Sequence, residues 1–445
     1  MSSRLPGPLD PRRRRALARR ASGGLRAAGY VFLALLPTLA HAQTLQRSAP
    51  VKMEFDAVIK QAVDKNPTVA RAATNISRAE ALLQQARAVT MPLVTASVTN
   101  ATLDSARAFA SGTIQPQNQT TISGSASFPV LAASRWAAVQ QARDQVDVAQ
   151  AGVAEVRQQV VVAAAQAYLS VIGARRQVEV TERSLESARS HLDYAQKRFE
   201  GGAGSRLNQL RASQIVSTEE ARLEAARLGL RTAQEALGVI VASDGPVDAG
   251  AEPVFDQPGT MDDDAWRKAR PDLATQAAIE RSAERVLLDT WKDLVPNVNA
   301  SFDPAFVTPA GIFQPSRTWR FSVSTTYALF EGGQRKILKR NREITLDQAK
   351  ITLSSLEIRA RSEVRLAQES VQSRERTLAT ARQAAEQAAE VVTITTSAFQ
   401  VGATTNLEVI DAQRAARDAD TTVAMSEDAL RRAKLDLLVA LGRFK

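Results

Sequence analysis

Positions 199–207 read FEGGAGSRL, and positions 399–407 read FQVGATTNL. Phe, Gly, Ala and Leu recur in the two stretches at one spacing, so they align without a gap. Further upstream, at a spacing of 204 positions instead of 200, Asn66-Pro67 and Pro92 correspond to Arg270-Pro271 and Pro296. A long internal repeat has to be interpreted first, because the repeat unit decides the fold. The sequence therefore predicts a duplicated unit, with one copy in each half of the chain.

The composition favours long helices over a compact enzyme. Of the 445 residues, 44% are hydrophobic but only 5% are aromatic, a balance typical of helical proteins. The formal net charge of +10 comes mostly from arginines in residues 1–42. Because the rest of the chain is close to neutral, bulk charge does not support nucleic-acid binding.

Residues 1–42 have the pattern of an export signal peptide. A basic segment precedes an apolar run from Ala27 to Leu36, and Ala40-His41-Ala42 supplies small residues for cleavage,. The mature chain would begin at Gln43; the alternative is a disordered basic tail. The sequence contains no cysteine, which excludes disulfides, thiolate metal ligands and lipid attachment through an N-terminal Cys.

The longest helical pattern runs from about Ala132 to Glu200. Its apolar residues alternate steps of three and four, which predicts a coiled coil. The pattern breaks at 201–204, and the second half breaks at Gly402. No apolar run beyond the leader reaches 18 residues, so any membrane-spanning segment would be a strand.

Four shorter segments change from helical to strand periodicity. They are Leu93–Leu103, Thr121–Phe128, Asn297–Val307 and Thr318–Phe330, and we expect them to form hairpins at about 93–130 and 297–330. Phe302, Trp319, Tyr327 and Phe330 are candidates for an aromatic girdle at the membrane interface. Four strands cannot close a membrane barrel and an open edge is not tolerated in lipid, so several chains would share one barrel.

With Asn66-Pro67 before a helix, the sequence LFEGG at 329–333 and the paired Phe-x-x-Gly motifs, the chain resembles the outer-membrane efflux family typified by TolC. The resemblance implies a mixed α and β fold in a homotrimer, with four strands per chain in a twelve-stranded barrel that continues into a helical tunnel. It also implies an outer-membrane location with contact to lipid, and partners that include a periplasmic adaptor and an inner-membrane ABC or proton-driven transporter. We divide the chain into a signal peptide (1–42), a first repeat (43–243), a linker (244–270) and a second repeat (271–445).

The resemblance also assigns residues to the periplasmic entrance, at two helical tips. In this family, rings of acidic side chains at the entrance set ion selectivity, and those positions correspond to Glu408 and Asp411. The alternative interpretation is that these two residues simply lie on a solvated helix face. The family latches its closed entrance with an acidic residue, an arginine and a tyrosine, but those positions carry Asn208, Thr404 and Phe399. We therefore expect another closing contact. The remaining tip residues are Phe199, Gly202, Gly402 and Arg206, of which Arg206 is the candidate to pair with an acidic neighbour.

The function that follows is passive export, either of a protein toxin by type I secretion or of small molecules by multidrug efflux. A different class of protein, a periplasmic coiled-coil scaffold or adaptor, would also use the helical pattern, but it has no use for strands with one apolar face. Catalysis is not expected, because outside the leader His191 is the sole histidine and a metal or Ser-His-Asp site needs more partners. No cofactor is expected.

Overall fold

The computed structural model describes residues 49–110, 112–256 and 263–444. The predicted signal peptide lies outside these residues, as does the 257–262 part of the predicted linker. The first half contains, in order, β1 (Val51–Met53), α1 (Phe55–Lys65), α2 (Pro67–Ala88), β2 (Leu93–Thr102), β3 (Arg107–Phe109), β4 (Gly112–Gln115), β5 (Asn118–Leu131), α3 (Ala133–Glu200) and α4 (Arg206–Ile240). It is followed by β6 (Val247–Ala249), α5 (Asp263–Ala269), α6 (Pro271–Leu288), β7 (Asn297–Thr308), β8 (Arg317–Thr326), α7 (Gln334–Gln400) and α8 (Asn406–Ala440).

The long helices form two antiparallel hairpins, α3 with α4 and α7 with α8. Helix α3 has 68 residues and is about 100 Å long at 1.5 Å per residue. Its predicted extent is confirmed, and Val146, Val153 and Val160 are buried at heptad spacing. A seven-residue apolar repeat keeps one face of the helix against its neighbours, first α2 and then α4. None of the helices in the described chain is long and apolar enough to cross a lipid bilayer.

The four predicted strands are present, and they form one antiparallel sheet in the order β2-β5-β7-β8. Each predicted hairpin pairs, and β5 also pairs with β7, which joins the hairpins. One face is apolar, with Phe302 directly opposite Phe321, whereas Ser301 on the other face hydrogen-bonds Ser322 over 2.9 Å. Neither β2 nor β8 has a partner on its outer edge within the described chain.

The prediction that β8 continues to Phe330 was wrong, because the strand ends at Thr326. Thr326 pairs with Asn297, the first residue of β7, so no ladder partner remains for Tyr327. The chain then turns through Gly332 and Gly333, which both have positive φ. Such backbone is accessible to glycine without steric cost. A small hairpin, β3 with β4, also stands in the loop before β5, where no strand was predicted.

The apolar core lies where short segments pack across the long helices. Tyr168, Leu169 and Leu237 are fully buried against α1 and the parallel pair β1 with β6. The Tyr168 hydroxyl donates to the carbonyl of Ala251 over 2.7 Å. Burial of these side chains packs the middle of α3 against the end of α4, because removing apolar surface from water stabilises the packed state.

Candidate functional site

Both helical hairpins turn through the same backbone structure at their tips. Gly202 and Gly402 have φ of 74° and 81°. The amide of the following alanine donates to the carbonyl five residues earlier, at 2.9 Å for Ala203 and 2.8 Å for Ala403. Glycine in this left-handed conformation ends a helix without the steric cost of a side chain. The Phe-x-x-Gly motifs therefore mark the two points at which the long helices reverse.

The acidic pair lies at the start of α8. The hydroxyl of Thr405 accepts a hydrogen bond from the amide of Glu408 and caps the helix. Glu408 and Asp411 are both exposed, and their spacing of three places them on one face. Asp411 is 3.8 Å from Arg414, whereas Glu408 makes no ion pair within the described chain. Both carboxylates are therefore accessible from solvent.

A cluster of side chains joins the second tip to α3. Nε2 of His191 lies 2.6 Å from Oδ1 of Asn406, and both residues are buried. The ring of Phe399 packs against His191 at 5.8 Å and against Tyr194 at 5.7 Å between centroids. Arg198 lies over the Phe399 ring at 5.5 Å and donates to its carbonyl at 3.4 Å. The first hairpin thus holds the phenylalanine of the second.

Burial of His191 lowers the pKa of its imidazole below the ordinary 6.5, although the hydrogen bond with Asn406 acts in the opposite direction. The charged ring loses more solvation than the neutral ring when both are taken out of water, so the neutral form is favoured. A neutral ring that donates from Nε2 to the Asn406 oxygen has no proton on Nδ1.

A second polar contact joins the hairpins further from the tips. The Glu219 side chain, which is 4% exposed, accepts from Arg417 of α8 over 2.6 Å and from Arg222 over 2.8 Å. The other carboxylate oxygen of Glu219 has no hydrogen-bond partner within the described chain. A buried ion pair is costly to break from one side, because a buried charge is then left without compensation.

The three residues at the positions of the family's latch, Asn208, Thr404 and Phe399, form no hydrogen bond with one another within the described chain. Phe399 is taken up by α3, and the Thr404 hydroxyl is buried without a partner within the described chain. Asn208 offers its backbone amide to the Ser205 hydroxyl at the start of α4.

Arg206 makes no ion pair within the described chain, and its pairing with an acidic neighbour stays a prediction. Its guanidinium donates to Gln209 over 3.2 Å and lies 5.8 Å from the Phe199 ring centre. Because Arg206 begins α4, its side chain lies along its own tip and does not cross to the second one.

Sequence reasoning missed four residues that the structure brings together: His191, Asn406, Glu219 and Arg417. His191 was considered only as an isolated histidine, because its partner is 215 positions away. Comparison of the two repeats offers the one signal that could have found these residues. At the repeat spacing, which takes Phe199 to Phe399, His191 corresponds to Val391 and Glu219 to Ala419.

Only two of the four residues predicted for the aromatic girdle lie on the sheet, because β8 ends before the other two. Phe302 and Trp319 contact each other on the apolar face of the sheet, with ring centres 6.2 Å apart. Tyr327 and Phe330 lie beyond the strand, and Arg335 covers the Tyr327 ring at 5.4 Å. The residues that the structure describes contain no cluster of three His, Cys, Asp or Glu side chains suited to a metal ion.

An open antiparallel sheet continued by helices of this length defines a TolC-like outer-membrane channel fold. The structure is similar to the CmeC outer-membrane channel of Campylobacter jejuni, with a TM-score of 0.76 and 14% identity over 95% of this chain and 94% of that one. VceC, an outer-membrane protein of Vibrio cholerae, gives a TM-score of 0.74 and 17% identity over 87% and 96% of the two chains. CusC gives a TM-score of 0.77 and 18% identity over 89% and 95%.

The sequence profile of the outer membrane efflux protein family matches residues 58–243 and 265–443. The chain therefore belongs to this family, and the resemblance inferred from its motifs is confirmed. No curated protein sequence matches the chain. The identities to the solved channels are low, so those structures establish the fold and not the cargo.

Proposed function

We propose that the chain forms, as a homotrimer, a channel through the outer membrane that continues as a helical tunnel into the periplasm. Each copy contributes four strands to a twelve-stranded barrel and two helical hairpins to the tunnel. The periplasmic entrance is the ring of six tips. The trimer is a passive conduit, and an inner-membrane ABC or proton-driven transporter with its periplasmic adaptor supplies the cargo and the energy.

The observation that carries this proposal is the open, two-faced sheet. Phe302, Phe321 and Val323 are exposed on one face, while Asp303 and serines occupy the other, where Asp303 accepts from Ser125 over 2.7 Å. In lipid every backbone polar group must be paired, so the free edges of β2 and β8 have to meet β8 and β2 of other copies. The apolar face then contacts lipid and the polar face lines a pore.

The surface of α7 also favours association with further copies. Ile337, Ile344, Ile351 and Ile358 recur at heptad spacing along this helix, and all four are exposed in the single chain. A sustained apolar seam of this kind is covered by another helix in coiled coils. A monomeric periplasmic scaffold would leave both this seam and the sheet face in water, which argues against that class of function.

The entrance carries a further part of the proposal. Three copies of Glu408 and Asp411 would place six carboxylates around one opening, and a ring of carboxylates favours cations over anions. Because both side chains are exposed at the start of α8, they are available to such a ring.

For the cargo, two proposals remain: a protein toxin exported by type I secretion, or small molecules exported by multidrug efflux. Deleting the gene in its own bacterium separates the two. Increased sensitivity to small toxic compounds with unchanged secreted protein supports efflux, and the reverse supports type I secretion.

The test of the channel itself uses two arginine substitutions on neighbouring residues of β8. Val323→Arg places a charge on the lipid face, where it costs about 2–4 kcal/mol at the midplane. Ser322→Arg places the same charge on the polar face and serves as the matched control. We expect Val323→Arg to abolish membrane-inserted trimers, and Ser322→Arg to keep them and alter their conductance in planar bilayers. Normal insertion of Val323→Arg would overturn the proposal.

A further inference from the structure

The residues that make contact at the second tip have equivalents in the other half of the repeat. Within a single chain these equivalent residues do not contact each other. Within the chain, α3 receives Phe399 on His191, Tyr194 and Arg198, and α8 is tied to α3 through Asn406. We call this set the within-chain joint. By the repeat, α7 is the equivalent of α3 and α4 is the equivalent of α8. The equivalent joint would therefore be formed by α7 and the first tip.

The first tip makes no such contact in its own chain. Its phenylalanine, Phe199, is only partly buried and is covered by Arg206 of the same tip. On α7 the positions equivalent to His191 and Tyr194 are Val391 and Ile394, which are 48% and 59% exposed. The first tip therefore carries a partly exposed aromatic ring, and α7 carries two exposed apolar side chains at the positions that would receive it.

The structure itself suggests which molecule completes this contact. In a closed ring of three copies with two hairpins each, every hairpin has one neighbour in its own chain and one in the next copy. A heterologous interface that closes into a ring brings different surfaces of identical chains together. We propose that the first tip of each copy docks on α7 of the next, with Phe199 packed against Val391 and Ile394 of that copy. This between-chain joint rests on the proposed trimeric channel and assigns the residues of its entrance.

Apart from the phenylalanine that both contain, the two joints differ in chemistry. The within-chain joint contains a buried histidine, an amide, an arginine and, further along, the Glu219–Arg417 ion pair. At the repeat spacing these positions carry Val391, Arg206, Ala398, Ala419 and Ser217. Apart from Arg206, whose guanidinium stays charged throughout the physiological range, and the neutral Ser217, the between-chain joint is apolar. It therefore has no group that titrates in that range and is little weakened by salt, whereas hydrogen bonds and ion pairs respond to both.

A mechanical consequence follows for opening. Acid or loss of the ion pair weakens the within-chain joint and leaves the between-chain joint intact. The parts that separate are then three composite units, each made of α3 and α4 of one copy with α7 and α8 of the next. The moving unit of the entrance is therefore shared between two chains.

Engineered cysteines test the between-chain joint directly, because the natural sequence contains none. The test variant is Phe199→Cys with Ile394→Cys, treated with a short bismaleimide, which accepts thiols that do not meet disulfide geometry. The control is Phe199→Cys with Ala389→Cys, because Ala389 is exposed about 140° away around α7 from Ile394, from 100° per residue,. We expect covalent dimers and trimers on denaturing gels for the test pair and monomers for the control.

The mass of the detergent-solubilised protein before cross-linking separates this inference from the proposed function. A trimer with channel activity in which the test pair yields only monomers, or no more oligomer than the control pair, overturns the joint but leaves the channel. A chain that is monomeric and forms no channel overturns both.

A second measurement addresses opening. The cross-linked test trimer is expected to keep at least half of its acid-induced increase in conductance, because the within-chain joint remains free. Loss of that increase in the cross-linked trimer, with the increase retained in the same variant before cross-linking, would overturn the assignment of the moving units.

Discussion

Replacing Arg417 with methionine should loosen the contact between the two helical hairpins by a predictable amount. The side chains of Glu219 and Arg417 are 4% and 14% exposed and lie 2.6 Å apart. Removing one partner of a buried pair costs about 3–5 kcal/mol. Arg222 still donates to Glu219 over 2.8 Å, so we place the loss at the lower end, about 3 kcal/mol. That energy shifts the equilibrium between joined and separated hairpins about a hundredfold.

The assay is single-channel recording in planar bilayers, with the open fraction as the readout. The control is Arg414→Met on the same helix, because Arg414 is exposed and its pair with Asp411 spans 3.8 Å. An exposed pair contributes about 0–1 kcal/mol, so this variant should resemble the parent protein.

The double variant with Glu219→Met and Arg417→Met should regain closure, since an apolar pair of similar volume can replace a buried ion pair. An Arg417→Met channel that opens no more than the Arg414→Met control would refute the reasoning, and so would a double variant that opens as often as Arg417→Met alone.

Three further predictions concern the entrance and the core. Burial lowers the pKa of His191 while the two hairpins are joined, so separated hairpins, in which the ring is exposed, bind a proton more readily. The contribution of His191 to the joined state is fully present above pH 6.5 and is lost as pH falls below it. His191→Gln should flatten the conductance change between pH 5 and 7, and an unchanged profile would assign that change to another group. Neutralising Glu408 and Asp411 together should reduce the cation preference, measured as a reversal potential in a salt gradient; an unaltered potential would place selectivity elsewhere. Tyr168→Phe removes the hydrogen bond to the Ala251 carbonyl and should lower the free energy of unfolding by about 1 kcal/mol, measured by thermal unfolding; a change of more than about 3 kcal/mol would indicate repacking instead.

Most of the local structure could be predicted from the sequence, because it depends on neighbours along the chain. The heptad stripe of α3 and the glycine at each tip act over one or two helical turns, so their positions follow directly from residue order. The strand alternation was equally local. It missed the small β3–β4 hairpin, and it failed at the end of β8, where pairing stops because β7 begins at Asn297. A strand ends where its partner ends, and the alternating pattern of the strand alone does not contain that information.

The candidate site, too, could be predicted from the sequence only in part. The motifs located the tips and the exposed positions of Glu408 and Asp411. They did not reveal what holds the tips, because His191 and Asn406, and Glu219 and Arg417, are brought together from opposite halves of the chain. A buried glutamate on a helix has the same local sequence as a solvated one, and burial is decided by the helix that packs over it.

By itself the sequence determined the kinds of element, their order, the two reversals of the long helices and the family of the protein, since these depend on short-range periodicity and on motifs. The tertiary structure decided which hairpin faces which, and therefore that the contact inside one chain is polar while its repeat equivalent presents apolar side chains. The physical reason is that the two copies of the unit have equivalent backbones but unequal neighbours: one is covered by its own chain, and the other presents Phe199, Val391 and Ile394 to solvent.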